Sequence, residues 1–287
     1  MKRSILIFLL CAITFPLLGS KNNKPPIQQI PIGNFALPAS QQPGPLIAFG
    51  QNVFDKHILQ LYADIDYLHD TNNNLTAFTP GALYTFTDNF SLFIRLRSIL
   101  DSSRRNNASS AFVENLVIQG EYAPLDHNTP NTIDMITIVS NFTIPISEPF
   151  PHVRFIAPGF FLGFTAEHVM PDWYIFISSG ITIPITNRGN NGIQVLYQGG
   201  LSKNIRAVTD GWILNWMLEL DGIYNQGTTF IESLDHIKGN VFFITPSIWF
   251  STKRCILQGG ISWVVVKPAS ERHTSPIYFS FNFGWTF

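Results

Sequence analysis

The sequence predicts an all-β chain, a transmembrane antiparallel up-and-down barrel of about twelve strands, with roughly 10 to 14 as the range. Three observations predict it. The chain is poor in charge, with Asp, Glu, Lys and Arg making 13% of 287 residues while Phe, Trp and Tyr make 14%, against the roughly 25% charged residues of ordinary soluble domains. Apolar and polar residues alternate with a period of two through many stretches, the spacing of a strand with one greasy face. Beyond the N-terminal leader, no apolar run approaches the ~20 residues that a membrane helix needs. An apolar surface then has two outlets, a buried core or a closed barrel turned toward lipid. A soluble secreted β-sandwich is the fold alternative, and it would have to hide every greasy face in one core. The net charge of −1 leaves no basic excess for phosphate neutralisation, so nucleic acid is excluded as a partner.

Residues 1–20 read as a secretory signal peptide. Met1-Lys2-Arg3 is a short positive start, Ile5 to Leu18 is an apolar stretch broken by Pro16, and Gly19-Ser20 are small. Cys11 lies inside the apolar stretch behind Leu10, which is too bulky for a lipoprotein cleavage site. Removal of the leader leaves Cys255 as the only cysteine, so neither an internal disulfide nor a cysteine-based zinc site is expected. Residues 21–50 are rich in proline and side-chain amides. That composition suits a flexible periplasmic lead-in. A plug is the other reading, with Phe35, Leu37 and Phe49 folded into the lumen as in long-chain fatty-acid transporters, which this arrangement resembles.

Residues 51–287 carry the barrel. The clearest strand is Trp212 to Asn225, where Trp212, Leu214, Trp216, Leu218, Leu220 and Tyr224 share one parity and Asn215, Glu219, Asp221 and Asn225 the other. Helical spacing would place Glu219 beside both Asn215 and Trp216 and so mix the faces. Similar alternation marks Lys56 to Tyr67, Phe90 to Ser98 and Ile277 to Phe287. Weaker versions cover Leu75 to Phe86, Ala111 to Tyr122, Thr132 to Ile144, Gly159 to Glu167, Trp173 to Ile185, Gly192 to Ser202, Asn240 to Phe250 and Ile256 to Val266. An even strand number returns the C-terminus to the side where the barrel began. Longer, more polar connectors alternate with short links such as Thr87-Asp88-Asn89, the expected outside and periplasmic asymmetry. Ala123 to Asn131 and Lys203 to Gly211 are longer than ideal turns. Pro80, Pro158 and Pro246 fall at or early in predicted strands, while Pro145 and Pro184 close others. Because proline lacks the ladder N–H, all five are expected at the outer rim.

Several stretches resemble the outer-membrane transporters grouped as "MetA-pathway of phenol degradation" proteins. They are Thr79-Pro80-Gly81-Ala82-Leu83-Tyr84, the run Phe243 to Ser251, the Pro-rich lead-in and the ending Phe283-Gly284-Trp285-Thr286-Phe287. The likeness spreads over most of residues 45–287 and is carried by strand texture. It implies a β-barrel channel in the cell outer membrane, with the lipid bilayer as its solvent, for passive passage of small hydrophobic or aromatic molecules. The alternative is a structural or surface-interaction barrel acting through its loops without transport. The terminal Phe287 resembles the signal read by the barrel-assembly machinery.

Enzymatic chemistry is not expected. A twelve-stranded barrel also resembles the outer-membrane phospholipase, whose His-x-Ser-Asn-Gly run is missing here: Ser140-Asn141 has no such histidine, and His273 falls in a predicted loop. The seven histidines are scattered without ligand spacing, so no metal and no cofactor are expected. The candidate lumen-lining residues are Tyr62, Asp64, Asp66, Arg95, Arg97, Asn115, Gln119, Glu121, Glu167, Asn215, Glu219 and Asp221. Arg95 and Arg97 are expected near the two aspartates of the first strand, with Glu219 and Asp221 across the barrel.

Overall fold

The computed structural model describes residues 30–50, 56–69, 73–104, 107–109, 112–146, 158–185, 192–226, 239–267 and 276–287. Residues 1–29, on which the predicted signal peptide and the start of the lead-in fall, lie outside these, as do most of the long connectors. The strands are β1 (Leu59–His69), β2 (Asn73–Thr87), β3 (Phe90–Arg104), β4 (Asn107–Ser109), β5 (Phe112–Asn128), β6 (Ile133–Pro145), β7 (Gly159–Val169), β8 (Trp173–Pro184), β9 (Gln194–Val208), β10 (Trp212–Asn225), β11 (Gly239–Thr252), β12 (Cys255–Val266) and β13 (Ile277–Thr286). Each long strand pairs antiparallel with its neighbours, and β1 pairs with β13 as well as β2, so the sheet closes on itself. Twelve staves make the wall. β4 is a three-residue strand folded back on the end of β3, outside the ring.

Closure follows from the alternation. In β10 the inward residues Ile213, Asn215, Met217, Glu219 and Asp221 are buried, while Trp216, Leu220 and Tyr224 on the other parity are among the exposed large apolar residues. At about 3.4 Å per residue, the 14 residues of β10 extend ~48 Å. A tilt near 45° leaves about 34 Å along the barrel axis, enough to span the hydrocarbon layer. Exposed Ile65, Ile94, Ile138, Phe164, Ile177, Ile248 and Phe281 continue the greasy belt around the wall.

Both ends of the barrel chain lie at one rim, where the Phe287 N–H donates to the Leu59 carbonyl at 3.0 Å. The short turns gather there, between β2 and β3, β5 and β6, β7 and β8, β9 and β10, and β11 and β12. Bacterial outer-membrane barrels carry their short turns at the periplasmic end.

The strands are longer than the alternation alone suggests. β5 runs on to Asn128 and β9 to Val208, absorbing the two segments that looked too long for turns. Bulges explain it: the register shifts between Tyr122 and Leu125 and opposite Leu214–Asn215, which breaks the two-residue period while pairing continues. The proline expectation divides. Pro145 and Pro184 end β6 and β8, and Pro158 immediately precedes β7, all at the rim opposite the termini. Pro80 and Pro246 instead sit inside β2 and β11. There the ladder to the next strand is interrupted, between Phe78 and Gly81 and between Ile244 and Ser247. A wall bonded on both edges tolerates the loss of one N–H.

Candidate functional site: the occupied lumen

The interior is not empty. Residues 30–50 enter it from the short-turn rim and fasten in two stages. The first stage lies across the mouth. Ile30 N–H donates to the Pro130 carbonyl at 3.1 Å, Asn34 N–H to the Pro171 carbonyl at 2.7 Å, and Asp210 N–H to the Ala36 carbonyl at 3.0 Å. Three successive turns of the barrel are thereby tied to one segment. Two 3-10 turns, Gly33–Ala36 and Ala39–Gln41, set its course. Gly33 has φ +56°, and the Pro171 backbone occupies the space a Cβ would need, so both conformation and close approach call for glycine. Asn34 is fully buried: its Nδ2 donates to the Met170 carbonyl at 2.9 Å and its Oδ1 accepts from Asn215 Nδ2 at 2.8 Å. Phe35 packs on Val169, Tyr174, Phe176 and Met217.

The second stage rises into the barrel. Ser251 Oγ donates to the Gln41 carbonyl at 2.7 Å, Gln60 Nε2 to the Ser40 carbonyl at 3.0 Å, and Gln258 Nε2 to the Gly44 carbonyl at 3.1 Å. The chain then meets Glu219. Both carboxylate oxygens of this fully buried residue accept from consecutive backbone N–H groups: Leu46 at 2.7 Å, Ile47 at 3.1 Å and Ala48 at 3.3 Å. Pro43 and Pro45 precede them; the three N–H groups have no sheet partner and would otherwise be unsatisfied inside the barrel. Beyond, the Phe49 carbonyl accepts from Thr165 Oγ1 at 2.7 Å.

All twelve sequence-predicted lining residues stand on the inward parity, and the structure divides them into groups. Tyr62, Asp64 and Asp66 on β1 face Arg95 and Arg97 on β3 across β2. Gly81 on β2 makes this possible, because a Cβ there would lie 2.8 Å from the Phe93 ring and 3.0 Å from Arg95 Cγ. Asp64 accepts from Asn282 Nδ2, Asp66 from Ser280 Oγ at 2.7 Å, and Tyr62 donates to Gln60. Arg95 donates to Gln119 Oε1 at 3.1 Å, and Gln119 in turn to Glu121 at 2.5 Å. Arg97 Nε pairs with Glu114 at 2.8 Å, and Asn115 also donates to Glu114. Glu114 was missed because it sits beside the bulge in β5, which turns two successive residues inward.

Glu219 and Asp221 lie on β10, six staves from β3 in either direction round the ring. Asp221 accepts from Gln198 at 2.9 Å and Thr245 at 3.4 Å. It therefore serves the wall, while Glu219 serves the inserted segment, although the two share a face two residues apart. Asn215 holds Asn34, and Glu167 is buried on β7.

Sequence reasoning missed a second lining, one of rings. Phe93, Phe161, Tyr174, Phe176, Phe243 and Trp249 are buried on the inward face. Most belong to strands that are apolar on both parities, as in Tyr174-Ile175-Phe176-Ile177, where alternation is faint. That faintness was itself the available signal: a wall strand greasy on both faces meets lipid on one side and an apolar lumen on the other.

Neither a protein-family model nor a curated protein matches the sequence. Solved structures do match in fold. The COG4313 outer membrane channel from Pseudomonas putida F1 aligns with a TM-score of 0.55 at 14% identity, covering 86% of this chain and 99% of that one. The NanC porin aligns at 0.49 with 6% identity over 78% of this chain and 98% of its own. LpxR from Salmonella typhimurium aligns at 0.48 with 9% identity over 79% and 99%. At such identities the first likeness speaks for the twelve-stave barrel alone.

Proposed function

We propose that this chain is an outer-membrane channel for passive passage of small hydrophobic or aromatic molecules, with residues 30–50 as its plug. Membership of the transporter group that the sequence resembles belongs to the same proposal. The observation that carries the reading is the lumen itself, with charged and amide side chains on β1 to β5 and on β10, rings on β7, β8 and β11, and an inserted segment fastened by hydrogen bonds to β1, β7, β10, β11 and β12. A barrel of about eight strands fills with side chains, and one of about sixteen holds an open aqueous channel. Twelve lie between these limits, and here one inserted segment occupies the interior.

Proteoliposomes provide the test. Uptake of an uncharged aromatic solute should exceed that of protein-free vesicles and should rise further when the plug is unfastened. Vesicles as tight as the protein-free controls, with both wild-type and unfastened protein, would overturn the reading. Export by the signal peptide and insertion through the barrel-assembly machinery belong to the same proposal. Deleting Phe287 should lower the amount of heat-modifiable barrel in cell envelopes several-fold while leaving refolding into detergent intact. Equal envelope levels would remove Phe287 from that role.

A further inference from the structure

We infer that the place on the inner wall filled by Phe49 is a binding site for a small aromatic molecule, kept occupied by the protein's own side chain. The inference rests on the channel reading above and names the chemistry of its passenger. Gly163 on β7 and Gly180 on β8 are direct cross-strand partners. On the same inward face lie Phe161, Thr165 and Ser178, all buried. Two glycines opposite each other leave a bare patch on a sheet, where glycine otherwise weakens the strand. The patch is used by rings. A Cβ on Gly180 would strike the Phe161 ring, and one on Gly163 would stand 2.7 Å from both the Phe161 and the Phe49 rings.

The two rings differ in origin. Phe161 belongs to the wall. Phe49 arrives with the inserted segment and stands edge-on to Phe161, with centroids 4.6 Å apart and planes at 75°, the geometry aromatic pairs prefer. Its carbonyl oxygen is bound in the same place, by Thr165 Oγ1 at 2.7 Å, and Thr165 is 3.0 Å from Ser178 Oγ. The wall therefore holds a phenyl ring and, a short saturated link away, a carbonyl oxygen. Withdrawal of the segment vacates both contacts together. A neutral arylalkyl carbonyl compound reproduces them, so ligand and plug compete for one seat, and each weakens the hold of the other.

The experiment titrates 3-(4-fluorophenyl)propanamide into protein in nanodiscs, followed by fluorine NMR, with empty nanodiscs correcting for partition into lipid. The double variant Phe49→Ala/Glu219→Ala, in which neither the ring nor the fastened carbonyl of residue 49 holds the seat, should bind it saturably and at least ten-fold more tightly than wild type. Adding Thr165→Val to that variant should weaken the amide while sparing 4-fluorotoluene, which lacks the carbonyl. Adding Gly163→Ala should weaken both. Heat-modifiable migration before each titration shows that the barrel is folded. Affinity in Phe49→Ala/Glu219→Ala no greater than in wild type would overturn the proposal, as would indifference to Gly163→Ala. Saturable binding without flux into proteoliposomes would remove the channel reading and leave the seat standing; flux without saturable binding would remove the seat alone.

Discussion

Replacing Glu219 with alanine is expected to raise single-channel conductance in planar bilayers by an order of magnitude or more. Hydrogen bonds to charged groups contribute about 1.5–3 kcal/mol each, and Glu219 accepts three from Leu46, Ile47 and Ala48. Even two bonds' worth, ~3–6 kcal/mol, shifts the fastened and released populations by about a hundred-fold or more. The loss is one-sided, because the freed N–H groups then prefer water to a dry wall. Glu219→Gln should act in the same direction, since its amide group would turn donors toward donors. The control is Asp221→Asn, two residues along the same face. Asp221 is engaged by Gln198 and Thr245, both on neighbouring wall strands, so conductance should change little. Identical conductance in wild type and Glu219→Ala would show that the segment is held without this carboxylate.

Leu218→Arg is expected to abolish assembly. Leu218 lies midway along β10, on the outward parity, opposite Leu201 of β9 and Pro246 of β11. A cationic side chain at the bilayer midplane of such a barrel costs about 2–4 kcal/mol, comparable with a large part of a typical folding free energy. Leu218→Phe at the same place should be tolerated. The measurement is the fraction of heat-modifiable protein after refolding into lipid vesicles and in cell envelopes. Normal folding of Leu218→Arg would mean that this face does not meet hydrocarbon.

How much of this was legible beforehand depended on which part of a residue carries the information. β10 was legible because every outward position but Gly222 is large and apolar and its inward polar ones, Asn215, Glu219 and Asp221, alternate with them. β7 and β8 were fainter because Phe161, Tyr174 and Phe176 add greasy residues to the inner face, so period two survives in the fold but not in hydropathy. Bulges in β5 and β9 hid the strand ends for a different reason: one extra residue reverses parity without any compositional mark. The fastening of residues 30–50 was the least legible feature. On the segment its partners are backbone groups, N–H groups toward Glu219 and carbonyls toward Gln60, Thr165, Ser251 and Gln258, and backbone groups leave no mark in the sequence. Glu219 could be placed on the inward face, but nothing in its neighbours says that a segment more than 170 residues earlier would come to meet it. Gly33, Gly163 and Gly180 were equally silent, since a glycine records that something approaches closely and not what approaches.

If one parity of every stave meets lipid while the other encloses an occupied lumen, spin labels along β10 will report it. With Cys255 replaced by serine, single cysteines at positions 213 to 221 are labelled one at a time in reconstituted protein. Their accessibility to oxygen, which concentrates in the bilayer, and to a polar nickel complex is then compared. Labels at 214, 216, 218 and 220 should be rich in oxygen and poor in nickel, and those at 213, 215, 217, 219 and 221 low in oxygen, with a strict two-residue period. Oxygen accessibility that is uniform along the strand, or that repeats every three to four residues, would contradict the barrel.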